Sequence, residues 1–286
     1  MEAYNPEYDF FPCINILGIG ATGANALNYF GEVADDIFPA RLIISDKDAD
    51  LQKKISDFII DETFWLFVIT DVEHLEVAAQ VAKSIEESKS LPTARSDLFD
   101  EFKLPLVTFL ILCKSAEDVR LADIPADFGT WIILPEDKIA ESGLTKNTMI
   151  YRAVNMTTSI IPIMKKRFNF IGMGFEIVVD KIGNFGKACI GFGESLDAEN
   201  PALDAVKKAL KSPLFIEDIA KAKKCLLVFV GSIDFLNMLQ MNEAATFLDK
   251  LRKANGDDIT LWQVDVDEPF DKDGVAACVL ATDFIK

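Results

Sequence analysis

Short apolar runs alternate with segments whose apolar positions recur at helical spacing through the first half of the chain. Residues 13–18 (CINILG) form an apolar run ending in glycine, which predicts a buried parallel strand. Residues 21–33 follow with Ala24, Leu27, Phe30 and Val33 three apart, which predicts a helix. Residues 41–45 (RLIIS) and 64–70 (FWLFVIT) predict two further strands. Residues 74–88 place Leu75, Val77, Ala78, Val81, Ala82 and Ile85 on one helix face. Residues 104–112 and 130–134 read as strands, the second closed by Pro135, while residues 88–103 are polar, contain Pro92 and predict an irregular excursion. Strands separated by helices pair in parallel through right-handed crossovers, so this half is expected to be a doubly wound parallel sheet.

The second half changes character. Residues 145–168 read mainly as helix, but Pro162 lies inside them, and proline removes a backbone donor and clashes with the preceding turn. A kink or break near Ser159 is expected. Strands follow at 186–193, 225–230, 259–266 and 275–282, with helices at 201–211 and 242–254. The polar link 267–274 (DEPFDKDG) predicts that the last two strands form an antiparallel hairpin. The expected organisation is α/β overall: a Rossmann-like domain over 1–144, a central helix over 145–170, and an α+β domain over 171–286.

Composition narrows the function. At 286 residues the chain can build two packed cores. Its 46 acidic and 29 basic residues give a net charge of −17, a field that repels phosphate backbones and anionic lipid. Nucleic acid and a direct membrane anchor are therefore not expected. Five cysteines are scattered without CxxC spacing, several inside apolar runs, as in a reducing cytosol. The single histidine, His74, lies between Glu73 and Leu75 and is expected on a solvated helix face; no metal site is expected. The acidic N-terminus lacks a signal-peptide pattern, and no run reaches the ~18 apolar residues of a membrane span, so a cytoplasmic location is expected.

Gly18, Gly20 and Gly23 form GxGxxG between the first strand and the first helix. Such glycines allow a tight turn, close approach to a phosphate, and helix N-terminal amides aimed at it. Alone the motif suits a dinucleotide site, with Asp46 or Asp48 on a ribose hydroxyl, and hence an NAD-binding oxidoreductase. It also suits plain tight-turn packing. No catalytic His, Cys or Lys pairing accompanies it.

Further segments decide between these readings. INILGIGATGANALNYF, with Asn25-Ala26 after the glycines, resembles the first phosphate loop of FtsZ. WIILPEDKI, with Pro135, Asp137 and Lys138 in register, resembles the family's I-P-N-D-K-L segment. ACIGFGES, ALKSPLF, AKKCLLVFVG, MNEAA and VLATDF resemble, in order, its A-x-M-G-x-G-x-A, A-I-S-S-P-L-L, A-x-G-V-L-x-N-I-T-G, V-N-E-A-A and V-I-A-T-G-F segments. The chain thus resembles the FtsZ/tubulin superfamily. The resemblance implies a tubulin/FtsZ-like fold with GTP held on the α/β domain by several glycine-rich loops. A loop of the next subunit would supply acidic groups that activate water.

Carried over by position, the residual nucleotide-binding residues are Gly18, Gly20, Ala21, Thr22, Gly23 and Asn25 for phosphate, with Tyr151 and Asn155 for the base. Glu136 replaces the family's asparagine, an acceptor-only carboxylate for an amide. The main phosphate loop, GGGTGTG in FtsZ, is replaced by VITDVEHLEVAAQ, and no glycine lies between Gly31 and Gly129. The glycine-rich loop before it is missing. Where FtsZ has N-x-D-x-x-D, the chain keeps Asn169 but carries glycine or apolar residues in the aspartate slots, with Glu176 and Asp180 the nearest carboxylates. No catalytic residue is expected. The sequence also stops after the last strand, where the family has a linker and a docking tail. A divergent, FtsZ-like scaffold that does not hydrolyse GTP is expected, without cofactor, meeting itself or an FtsZ-type protein. The alternative is a switch that still binds GTP or GDP.

Overall fold

Within β1 (Cys13–Ile19), Ile14 and Ile16 point to one side and Leu17 and Ile19 to the other, and all four are buried. A strand covered on both faces requires helices in both outer layers. α1 (Gly20–Val33) supplies Ala26, Leu27 and Phe30 to the Ile14/Ile16 face. α2 (Leu51–Phe58) and α3 (Leu75–Ser88) cover the other face with Ile55, Ala78, Val81 and Ile85.

The structure, a computed structural model, describes residues 13–33, 40–45, 50–59, 63–88, 106–118, 124, 128–158, 186–196, 199–231, 236–252, 260–264 and 274–284. Among them β2 (Arg41–Ile44), β3 (Thr63–Asp71), β4 (Leu106–Cys113) and β5 (Thr130–Pro135) extend a parallel sheet from β1. β6 (Gly186–Ser195) joins β5 in parallel over Thr130–Gly186, Trp131–Lys187 and Ile132–Ala188. β7 (Ala222–Val230), β8 (Thr260–Val264) and β9 (Val275–Phe284) complete a nine-stranded sheet in the order β2-β1-β3-β4-β5-β6-β9-β7-β8.

The expected hairpin of the last two strands does not form. β8 pairs in parallel with β7, and β9 lies antiparallel on the other flank of β7. The reason is α7 (Met238–Leu251), which carries the chain across from β7 to β8 as a βαβ crossover. Two short helices were not expected: α2, which buries only Ile55, and α4 (Glu136–Glu141), which starts directly after Pro135. Both are too short to show a clear apolar period.

α5 (Lys146–Thr158) joins the two halves. Its Met149, Ile150, Ala153 and Val154 share one core with Ile132 of β5, Ile190 of β6, and Leu226 and Val228 of β7. α6 (Pro201–Leu210) and α7 cover the opposite face of β7 and β9. Cys113, Cys189, Cys225 and Cys278 are free and buried, and burial pushes the thiols of Cys113 and Cys189 up to about 12, so both stay protonated at neutral pH. Among the described residues no helix is long and apolar enough to cross a membrane. Asp46, Asp48, the excursion at 89–105, the expected break near Ser159 with Pro162, the segment holding Asn169, Glu176 and Asp180, and the link 265–273 lie outside the described residues.

Candidate functional site

The chain leaves β1 for β2 on one flank, and β3 takes the other flank. In an open parallel sheet such a reversal opens a crevice beyond the carboxyl ends of the two strands, where ligands bind. Here those ends are Ile19 and Asp71, so the crevice is bordered by the start of α1 and by the segment that follows β3.

The GxGxxG residues build the first border. Gly20 opens α1 with φ +66°, a left-handed backbone that favours glycine. Gly18 and Gly23 face each other: a Cβ on Gly23 would stand 2.5 Å from the Gly18 backbone and 3.0 Å from the Ile69 carbonyl oxygen. These two glycines therefore let α1 start in contact with β1 and β3. Ala21 and Asn25 are exposed and Thr22 is half-buried.

The second border is His74, and the expectation of a solvated helix face is wrong for it. His74 closes a 3-10 turn (Val72–His74) ahead of α3, and its side chain is only 19% exposed. Asp71 caps that turn, accepting from the Glu73 amide at 3.1 Å, and the same carboxylate oxygen lies 2.6 Å from His74 Nδ1. The Nδ1–Cε1–Nε2 edge of the ring faces Gly20 at the start of α1. A Cβ on Gly20 would meet Cε1 and Nε2 at 2.7 Å. The imidazole thus lies on the glycine that starts the helix, and a carboxylate stands behind the ring. Sequence reasoning missed this contact. The signal available was the Asp-x-x-His spacing directly after a buried strand.

Tyr151 and Asn155, the residues expected at a base, both sit on α5. Tyr151 is half-buried and meets Phe30 edge-on at 5.3 Å and Tyr29 at 6.0 Å between ring centroids. Asn155, one turn on, is 4% exposed. Tyr29 follows Asn25 by four positions, so the two share a face of α1. Glu136, at the start of α4, is ion-paired with Lys146 at the start of α5. The structure brings Gly18, Gly20, Ala21, Thr22 and Gly23 together at one turn, with Asn25 exposed one turn along α1 and Asn155 buried on α5.

No protein-family model matches the chain. It is 29% identical over 151 residues to Cell division protein FtsZ 1 of Thermococcus kodakarensis, a match spanning 50% of this chain and 38% of that protein. A point variant of FtsZ from M. jannaschii superposes with a TM-score of 0.73 at 18% identity, covering 96% of this chain and 91% of the other. CetZ2 from Haloferax volcanii, solved as a GTPγS-bound protofilament, superposes with a TM-score of 0.67 at 14% identity, covering 95% and 94%. The chain has the fold of these FtsZ and CetZ structures. Within this FtsZ-like chain the route from β3 to α3 is a single 3-10 turn bearing Asp71, Glu73 and His74, with Glu76 opening α3.

Proposed function

We propose that this FtsZ-like chain does not hydrolyse GTP and acts as a scaffold, associating with itself or with an FtsZ-type protein through tubulin-like surfaces. The observation that carries the reading is His74 lying on Gly20 with Asp71 behind it. The amides at the start of α1 are the remaining donors for a phosphate, and the imidazole covers their first residue. A phosphate entering there would also approach carboxylates. Like charges a few ångströms apart cost on the order of 1–4 kcal/mol per pair at intermediate dielectric. Each missing amide contact to a charged oxygen would forgo roughly 1.5–3 kcal/mol more. The protofilament of CetZ2 supports self-association as the retained property.

A second reading, a GTP- or GDP-binding switch, draws support from exposed Asn25 and from the Tyr29–Tyr151 pair, a place where a base could still stack. Thermal unfolding with and without millimolar GTP or GDP and magnesium separates the two. Ligand at 100 times Kd would stabilise the fold by ~2.7 kcal/mol. The scaffold reading expects an unchanged melting temperature. A rise that saturates with nucleotide selects the switch.

A further inference from the structure

Successive residues of α5 serve different surroundings, because neighbours on a helix diverge by about 100°. Tyr151 turns to α1, whereas Arg152 turns to a cleft of about 470 Å³ between the start of α5, the end of β6 and the end of α6. Leu144, Met149, Phe192 and Pro213 give this cleft apolar walls. Arg152, Lys208 and Lys211 also line it, against Glu194 as its acidic residue. In a chain with 46 acidic and 29 basic residues, a cleft biased toward cations stands out from its surroundings.

Arg152 holds an ion pair at the mouth of the cleft and lies over an aromatic ring. Its side chain is 18% exposed, and its guanidinium lies 5.7 Å from the centre of the Phe192 ring. Its ion-pair partner Glu194 is 51% exposed, so that carboxylate sits at the mouth and can leave for water. Lys208 is bound to Asp204 at 2.7 Å, while Lys211 is exposed at the rim. A planar guanidinium takes a carboxylate in a two-point grip, and a cleft of this size holds a small ligand body.

We propose that this cleft binds a small organic anion with an apolar body, its carboxylate replacing Glu194 on Arg152 and its body lying between Met149, Phe192 and Pro213. The site is separate from the β1–α1 turn and does not depend on the scaffold reading.

Calorimetric titration with 2-naphthoate and its uncharged analogue 2-naphthamide tests the proposal. The acid is expected to saturate one site, and the amide to bind about tenfold more weakly or not at all, as loss of a charge-paired group implies. Glu194→Gln removes the competing carboxylate and should tighten naphthoate binding. Arg152→Gln should weaken it about tenfold or more. Lys211→Ala, at an exposed position, should weaken it moderately and serves if the Arg152 variant does not fold. Equal binding of acid and amide, no saturable binding at millimolar naphthoate, or weaker binding by Glu194→Gln would each overturn the proposal.

Discussion

At the residue scale, the β1–α1 turn separates two uses of glycine. Gly20 needs its left-handed backbone and also lies under His74, so Gly20→Ala combines ~1–2 kcal/mol of backbone cost with a steric clash. Urea unfolding should show part of that loss relieved in a His74→Ala background. Gly23→Ala should cost more, roughly 3 kcal/mol, and His74→Ala should not relieve it, because its Cβ meets the Gly18 backbone rather than a side chain. A double-mutant cycle in which the Gly20→Ala cost is unchanged by His74→Ala would contradict the packing described. The glycines themselves were legible in the sequence, since strand, motif and helix stand side by side. The partner of Gly20 was not. His74 reaches it only because β1 and β3 pair with Gly18 beside Ile69, a register set by the sheet as a whole.

Among the elements, those with a strong apolar period were legible and their ends were not. α7 was expected to start at residue 242, yet it begins at Met238 behind a capping box. Asn237 accepts from the Gln240 amide at 3.0 Å and Gln240 reaches back to the Asn237 amide at 3.4 Å. That Asn-x-x-Gln pattern was readable, but exposed Met238 and Leu239 blurred the helical stripe beside it. Asn237→Ala should lower the free energy of unfolding by about 1 kcal/mol, measured by urea titration, with no change where the cap is idle. The misplaced hairpin has a different cause. Strand order depends on which flank of β7 the α7 crossover returns to, and a polar link between two apolar runs carries no information about it.

Across the whole molecule, one sheet runs from β2 to β8 and α5 spans its two halves, with Met149 to Val154 packed on strands of both. This arrangement was legible because weakly matching segments recur in a fixed order from residue 14 to residue 284. What the crevice between β1 and β3 contains was not, beyond the loss of glycines after β3. A net charge of −17 adds to the local carboxylates in opposing a polyanion there. The strand order opens a crevice beyond Ile19 and Asp71, and Asp71 and His74 stand at its border.

The most direct test is a crystal structure of the protein soaked with a non-hydrolysable GTP analogue and magnesium. The account predicts His74 on Gly20, bonded to Asp71, and no ordered triphosphate at the start of α1. An ordered triphosphate on the amides of Gly20 to Gly23, with the imidazole displaced, would contradict it.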